Sequence, residues 1–200
     1  MAQIKTKRER IKFASDNVTG ACPEVLDAIL KANDGDRTPY GNDEISKSLQ
    51  DKFSDIFEKD VVVFPTSSGT AANALALSTM TPSFGNIYCH KLSHINVDEC
   101  GAPEFYTGGA KLVTLKGNDG KITAEELNKS ISGKGIVHHT QPSSVSITQL
   151  CETGEAYKLD EIKKISEIAH NNKLNMHMDG ARFANALVSL NCSPAEMTWK

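Results

Sequence analysis

Leu174-Asn175-Met176-His177-Met178-Asp179-Gly180-Ala181-Arg182 decides the fold class. An apolar-rich run reads as a strand over Leu174–Met178 that ends at Asp179. Gly180 breaks it, and a helix is expected from about Ala181 to Leu190. A carboxylate at the carboxyl end of such a strand lies on the edge where open α/β sheets bind ligands. Arg182 follows three residues on, one helical turn, so both groups could face one site. Asp179 could hold a cationic ring nitrogen, and Arg182 could grip a carboxylate in two-pronged fashion. An Asp helix cap with an internal Asp–Arg pair explains the same residues.

The same strand-then-helix order recurs upstream. Leu159, Ile162, Ile165, Ile168 and Ala169 mark the amphipathic helix before this strand, and Ser144–Thr148 the strand before that. Lys111–Leu115 and Asn86–Cys89 read as strands. Asn118-Asp119-Gly120 is a turn, and Thr123-Ala124-Glu125-Glu126 is a capping box. Val61–Phe64 reads as a buried strand ended by Pro65. Before it, residues 42–58 form an amphipathic helix that Asn42 can cap, with Ile45, Leu49, Phe53, Ile56 and Phe57 on one face. The repeated order predicts an α/β chain with a mainly parallel sheet, flanking helices and right-handed crossovers.

Composition narrows the function classes. The chain has 200 residues, 39% of them hydrophobic and 24% charged, with a net charge of −3. Disorder is excluded, as is a strongly basic surface that would track nucleic-acid phosphates. The one basic run, Lys5-Thr6-Lys7-Arg8-Glu9-Arg10, reads as a solvated tail. Five cysteines at 22, 89, 100, 151 and 192 form no C-x-x-C pair and no disulfide framework, which fits reduced thiols. No secretory or membrane-spanning pattern occurs, so a cytoplasmic protein without membrane or nucleic-acid partners is expected.

Ser67-Ser68-Gly69-Thr70-Ala71-Ala72-Asn73 lies between a strand and a helix start. First-turn N–H groups and the helix dipole favour an anion there, and Gly69 lets it come close. A phosphate fits, although no Walker lysine follows. A plain Ser-capped helix fits equally well. His94 is one of six histidines. His90 and His94 are four apart, but no third ligand is evident, so no metal is expected.

These segments form an ordered set. Phe13-Ala14-Ser15-Asp16-Asn17, Tyr40-Gly41-Asn42-Asp43, Ser67–Asn73 and Ser93-His94 come first. Asp98-Glu99-Cys100-Gly101-Ala102-Pro103-Glu104-Phe105 and His177–Phe183 follow. In that order they resemble the low-specificity L-threonine aldolases, fold-type I enzymes that depend on pyridoxal 5′-phosphate. The resemblance implies an aminotransferase-like large domain and retro-aldol cleavage of L-threonine or L-allo-threonine to glycine and acetaldehyde. It places the protein in threonine catabolism and glycine biosynthesis.

Residue roles follow from the matching positions. Ser68, Gly69 and Thr70 would bind the cofactor phosphate. His94 would stack on the pyridine ring near the substrate hydroxyl. Asp179 would pair with the ring nitrogen, and Arg182 would contact the cofactor oxygen and the substrate carboxylate. Ser15 would help hold that carboxylate. Members are homo-oligomers, commonly tetramers built as dimers of dimers, and Tyr40 and Gly41 lie where a subunit interface is expected.

The domain expectation is an N-terminal arm and first helix over 1–35 and the large cofactor domain over 36–200. Ser193-Pro194-Ala195-Glu196 starts a helix, yet only four residues follow Glu196. The chain is therefore expected to be truncated at its C-terminus. In the family the lysine that carries the cofactor lies beyond this stretch, after one more strand, and a small C-terminal domain follows. Lys200 sits in the first turn of a helix and is not that lysine. The 200-residue chain alone is expected to be inactive. Alternatives are another pyridoxal-phosphate lyase or transaminase on the same scaffold, or a non-catalytic oligomerisation or regulatory fragment.

Overall fold

A computed structural model describes residues 18–200. The chain divides between Lys47 and Ser48 into two compact units. In the first, helix α1 (Pro23–Ala32) has Pro23 at its first turn and buries no residue. Its aliphatic side chains Val25, Leu26, Ile29 and Leu30 are all exposed.

Helix α2 (Glu44–Phe57) begins at the end of the first unit and runs into the second. Asp43, not Asn42, caps it. Asp43 Oδ1 accepts from the Ser46 N–H at 2.9 Å and Oδ2 from the Ser46 hydroxyl at 2.6 Å. The side chain of Asn42 instead donates to the carbonyl of Pro39. An ionised carboxylate at this end also suits the helix dipole.

The rest of the second unit is a parallel sheet between helices. Its elements are α3 (Gly69–Met80), β1 (Gly85–His90), α4 (His94–Val97), α5 (Ala102–Tyr106), β2 (Lys111–Leu115), α6 (Ala124–Ser130) and β3 (Gln141–Thr148). Then come α7 (Leu159–Asn171), β4 (Asn175–Asp179), α8 (Phe183–Leu190) and α9 (Pro194–Thr198). The strand order is β2-β1-β3-β4, and every pair is parallel.

Val61–Phe64 is not a strand. The segment is extended, and Val62 and Phe64 are exposed. Its alternate N–H groups bond to side chains of α2: Val61 to Ser54 Oγ and Val63 to Gln50 Oε1, both at 3.3 Å. A strand needs a backbone partner, and among the described residues this run has a helix's polar side chains instead.

Register sorts the strand residues onto two faces. Val145 pairs with Tyr88 and Met176, and Ile147 with Met178. This face carries the main core, where Leu127, Ile162, Ile165, Ala169, Ala186 and Met197 from α6 to α9 pack against the strands. Full burial of each large aliphatic side chain stabilises the fold by roughly 1.5–3 kcal/mol. The other face pairs Ser144 with Ile87 and Asn175, Ser146 with His177, and Thr148 with Asp179. Helix α3 lies on it. Leu77 packs on Ile87 and Cys89, the Thr81 hydroxyl meets that of Ser144, and Asn175 Nδ2 donates to the Met80 carbonyl. Gly85 permits this close packing, because a Cβ there would lie 2.6 Å from Ser143 Oγ and 2.7 Å from Thr81 Cγ2.

The capping box at Ser193 forms on both sides. Trp199 Nε1 donates to the Phe57 carbonyl at 2.6 Å, and the Phe57 ring meets that of Phe183. These contacts join the end of α2 to α8 and α9. All five cysteines are free. Among the described residues no helix is long and apolar enough to cross a membrane.

Candidate active site

The chain enters α3 through Ser67 and Ser68. Ser68 has extended backbone, and its hydroxyl oxygen accepts from the Ala71 N–H at 3.2 Å. That cap leaves the N–H groups of Gly69 and Thr70 as the outward donors of the first turn. A Cβ built on Gly69 would meet nothing within 4 Å. The cradle is open where an anion would approach, and its donor set suits a phosphate.

One helical turn further on, Asn73 is buried and reaches two carboxylates. Its Nδ2 donates to Glu99 Oε1 at 2.7 Å and to Asp179 Oδ2 at 3.0 Å. Glu99 Oε1 is also 2.8 Å from His94 Nδ1. Asp179 Oδ1 accepts the Ala181 N–H at 3.0 Å. The carboxyl end of β4, the start of α3 and the α4–α5 segment therefore converge on one cluster. Asp179 is only 6% exposed.

Partial burial pulls the His94 pKa down. The hydrogen bond and charge of Glu99, with the charges of Glu152 and Asp179, outweigh it, and the net shift is upward. Burial pulls the His90 pKa down. His90 joins no site with His94: its Nε2 contacts the Gly117 carbonyl and its Nδ1 accepts from the Leu92 N–H.

Arg182 departs from the sequence expectation in its local structure. Helix α8 begins at Phe183, so Arg182 occupies the cap position rather than a helical turn shared with Asp179. The turn after β4 is closed by the Phe183 N–H to the Gly180 carbonyl and by the Asp179 side chain. The guanidinium pairs with Glu152, Nη1 to Oε1 at 3.2 Å and Nη2 to Oε2 at 3.3 Å. Glu152 sits in the loop after β3. Nearby, Gln149 clamps that loop, its side chain donating to the Tyr157 carbonyl and accepting the Tyr157 N–H, both at 2.9 Å.

Ser15 lies outside the described residues. Tyr40 and Gly41 form a turn in the first unit with φ of 62° and 74°, and Tyr40 is exposed. The sequence reading assigned no role to Asn73 or Glu99. A buried amide in an Ala- and Leu-rich helix was the available signal for Asn73. The sequence showed no third ligand beside His94, but the structure brings Glu99 and Asp179 to it, with ligand atoms of all three within 4.8 Å of one another. Glu99 Oε1 and Asp179 Oδ2 already accept from Asn73, and Glu99 Oε1 also lies against His94 Nδ1.

A family model described as beta-eliminating lyase matches residues 12–200. The chain belongs to the beta-eliminating lyase family. Among this family's curated members, the low specificity L-threonine aldolase of Pseudomonas sp. (strain NCIMB 10558) is 44% identical over 94% of this chain and 55% of its own length. That of Pseudomonas aeruginosa is 42% identical over the same shares. The chain thus spans about half the length of the curated relatives it matches. The Leishmania major threonine aldolase structure superposes with a TM-score of 0.84 at 27% identity, covering 90% of this chain and 53% of that one. The parallel sheet and flanking helices are those of the large domain of fold-type I pyridoxal-phosphate enzymes, present here over a partial length. The family's enzymes are pyridoxal-phosphate-dependent lyases.

Proposed function

We propose that the protein is a pyridoxal-phosphate-dependent aldehyde-lyase, a low-specificity threonine aldolase that forms glycine and acetaldehyde from L-threonine or L-allo-threonine. The observation that carries this reading is the convergence of His94 and Asp179 on Asn73, one turn from an open phosphate cradle. A phosphate cradle, a buried carboxylate and an imidazole within one site are what the cofactor and a β-hydroxy-α-amino acid require.

When bound, the cofactor supplies an electron sink for the Cα–Cβ bonding pair. Ser68, Gly69 and Thr70 bind its phosphate with backbone N–H groups and hydroxyls. Asp179 would hold the ring nitrogen, where a carboxylate charge favours the protonated form. His94 would flank the cofactor and would take the proton of the substrate β-hydroxyl, directly or through a water it orients. Arg182 turns its fork to the substrate carboxylate. Its two-pronged pair with Glu152 displays the same chemistry. Ser15 adds a hydroxyl to that carboxylate's shell.

The protein is further read as a cytoplasmic homo-oligomer, a dimer of dimers. The exposed aliphatic face of α1 supports association, and the free cysteines suit a reducing compartment. Sedimentation analysis of the purified protein reads the oligomer: a tetramer is expected, and a monomer at micromolar concentration overturns it.

Expression of the complete reading frame, followed by assay with pyridoxal phosphate and L-threonine, tests the activity. Acetaldehyde and glycine in equal amounts are expected. A second reading, β-elimination, is supported by the description of the matching family model. Pyruvate and ammonia from serine or cysteine, with no acetaldehyde from threonine, would replace the first reading by the second.

A further inference from the structure

We propose that Glu99, held in place by Asn73, fixes the tautomer of His94, so that Nδ1 carries the proton and Nε2 is the basic nitrogen presented to the β-hydroxyl. Glu99 is a positioning residue in this scheme, acting through His94. The inference rests on the aldolase reading for its effect on rate, but not for its effect on the imidazole itself.

The two partners differ in burial. The Glu99 side chain is 0% exposed and that of His94 is 36% exposed. The ring therefore spans from the interior to the open side of the site, with Nδ1 at the inner end. Glu99 Oε1 lies 2.8 Å from Nδ1 and also accepts from Asn73. An ionised carboxylate has lone pairs and no proton, and in the proposed state the imidazole is the donor to it. Nε2 is then left with its lone pair. The hydrogen bond made by one ring nitrogen sets the chemistry of the other.

Glu99 is held from two directions. Asn73 Nδ2 donates to the same oxygen, Oε1, and its amide is fixed in turn by Asp179. On the backbone side, Cys100 and Gly101 have φ of 53° and 75°, and the Ala102 N–H closes onto the Glu99 carbonyl at 2.9 Å. This reversal starts α5 and turns the Glu99 side chain inward. Gly101 suits its left-handed position because it lacks a Cβ. The charged groups near the imidazole are Glu99 from its own segment, Asp179 from β4 and Glu152 from the loop after β3. Glu152 is already paired with Arg182. All three carboxylates favour the imidazolium, and Glu99 alone contacts the ring nitrogen.

Two variants separate the tautomer from the charge. In Glu99→Gln a carbonyl oxygen can still accept from Nδ1 and from Asn73, but the negative charge is gone. The acidic limb of kcat/KM is expected to move to lower pH by about one unit. In Glu99→Ala the acceptor is lost, and kcat for threonine is expected to fall about 10²-fold with KM little changed. Two-bond proton–nitrogen correlation spectra of the imidazoles read the state directly, with the His94 signal assigned by its loss in His94→Gln. Wild type is expected to show neutral His94 protonated on Nδ1, and Glu99→Ala to show it mainly protonated on Nε2. An Nε2–H tautomer in wild type, or a proton lodged on Glu99 that leaves Nδ1 bare, overturns the proposal. An unmoved acidic limb in Glu99→Gln also overturns it. These kinetics are read on the enzyme expressed from the complete reading frame. If that wild type cleaves no threonine, the aldolase reading fails, and the spectra still decide the tautomer.

Discussion

Beneath α3 the sheet presents Ser144, Ser146 and Thr148 beside Asn175, His177 and Asp179, whereas its other face presents Val145 and Ile147 beside Met176 and Met178. The same two strands carry both sets at alternate positions. The apolar face packs against four helices and holds most of the buried hydrophobic side chains. Except for Asn175 the polar face is buried too, and polar groups on it pair with one another and with α3, as in Ser146 Oγ with His177 Nδ1 at 2.8 Å and Asp179 with Asn73. Buried polar groups cost stability unless paired, and the proposed site lies at the Asp179 end of this row. On the proposed function, stability and reactivity are separated across the thickness of one sheet.

That separation can be broken experimentally. The largest effect is expected on the polar side, where His94→Ala should lower threonine cleavage by about 10²–10⁴-fold while circular dichroism shows an intact fold. Loss of cooperative unfolding in this variant would place His94 in the structural set instead. On the apolar side, Ile147→Ala should cost about 2–5 kcal/mol in urea denaturation, with the activity of the folded enzyme unchanged. A fall in that activity would mean that the two faces are coupled.

His177 sharpens the comparison through pH. Burial, opposed by the charge of Asp179, pushes its pKa down to about 4. The unfolded chain takes up this proton first as pH falls, near the ordinary histidine value of about 6.5. Stability from this group is therefore complete above that value and is lost progressively between it and about pH 4. The loss amounts to about 3 kcal/mol. Urea midpoints measured through this window should fall less steeply in His177→Asn than in wild type. Equal slopes would show that the imidazole does not stay neutral in the fold. The smallest effect is expected at Ser68→Ala, which removes the α3 cap at a cost of about 1 kcal/mol, read by thermal unfolding.

Much of the fold was legible from local patterns. The β2 bounds, the amphipathic stripe of α7 and the capping box at Ser193 depend on neighbours a few residues away. Val61–Phe64 was not legible as it stands. Its pattern specifies extended backbone with one covered face, and Val61 and Val63 are indeed the less exposed pair. Pattern alone cannot say whether a strand or a helix's side chains will meet the N–H groups. The places of Asp179 at the end of β4 and of Ser68–Thr70 at the start of α3 were legible because strand ends and helix starts mark themselves. The ties from Asn73 to Glu99 and Asp179 span 26 and 106 residues, and no local signal encodes such pairings. Arg182 was placed near the right edge of the sheet, but its partner Glu152, 30 residues away, was hidden for the same reason.

The bond from Asn73 to Asp179 has a consequence for assembly. Strand β4 is at the edge of the sheet and pairs with β3, which in turn pairs with β1. Helix α3 precedes all of them in the chain. Closing so long a loop is unfavourable until the intervening strands have shortened the path. The bond between Asn73 and Asp179 is therefore expected to close late, after these four strands have paired. A ligand that needs the cradle of α3 and the carboxylate of β4 together recognises only the finished arrangement. By mass action its binding energy is added to the stability of that state alone, so the occupant of the site would also act as the inspector of its folding.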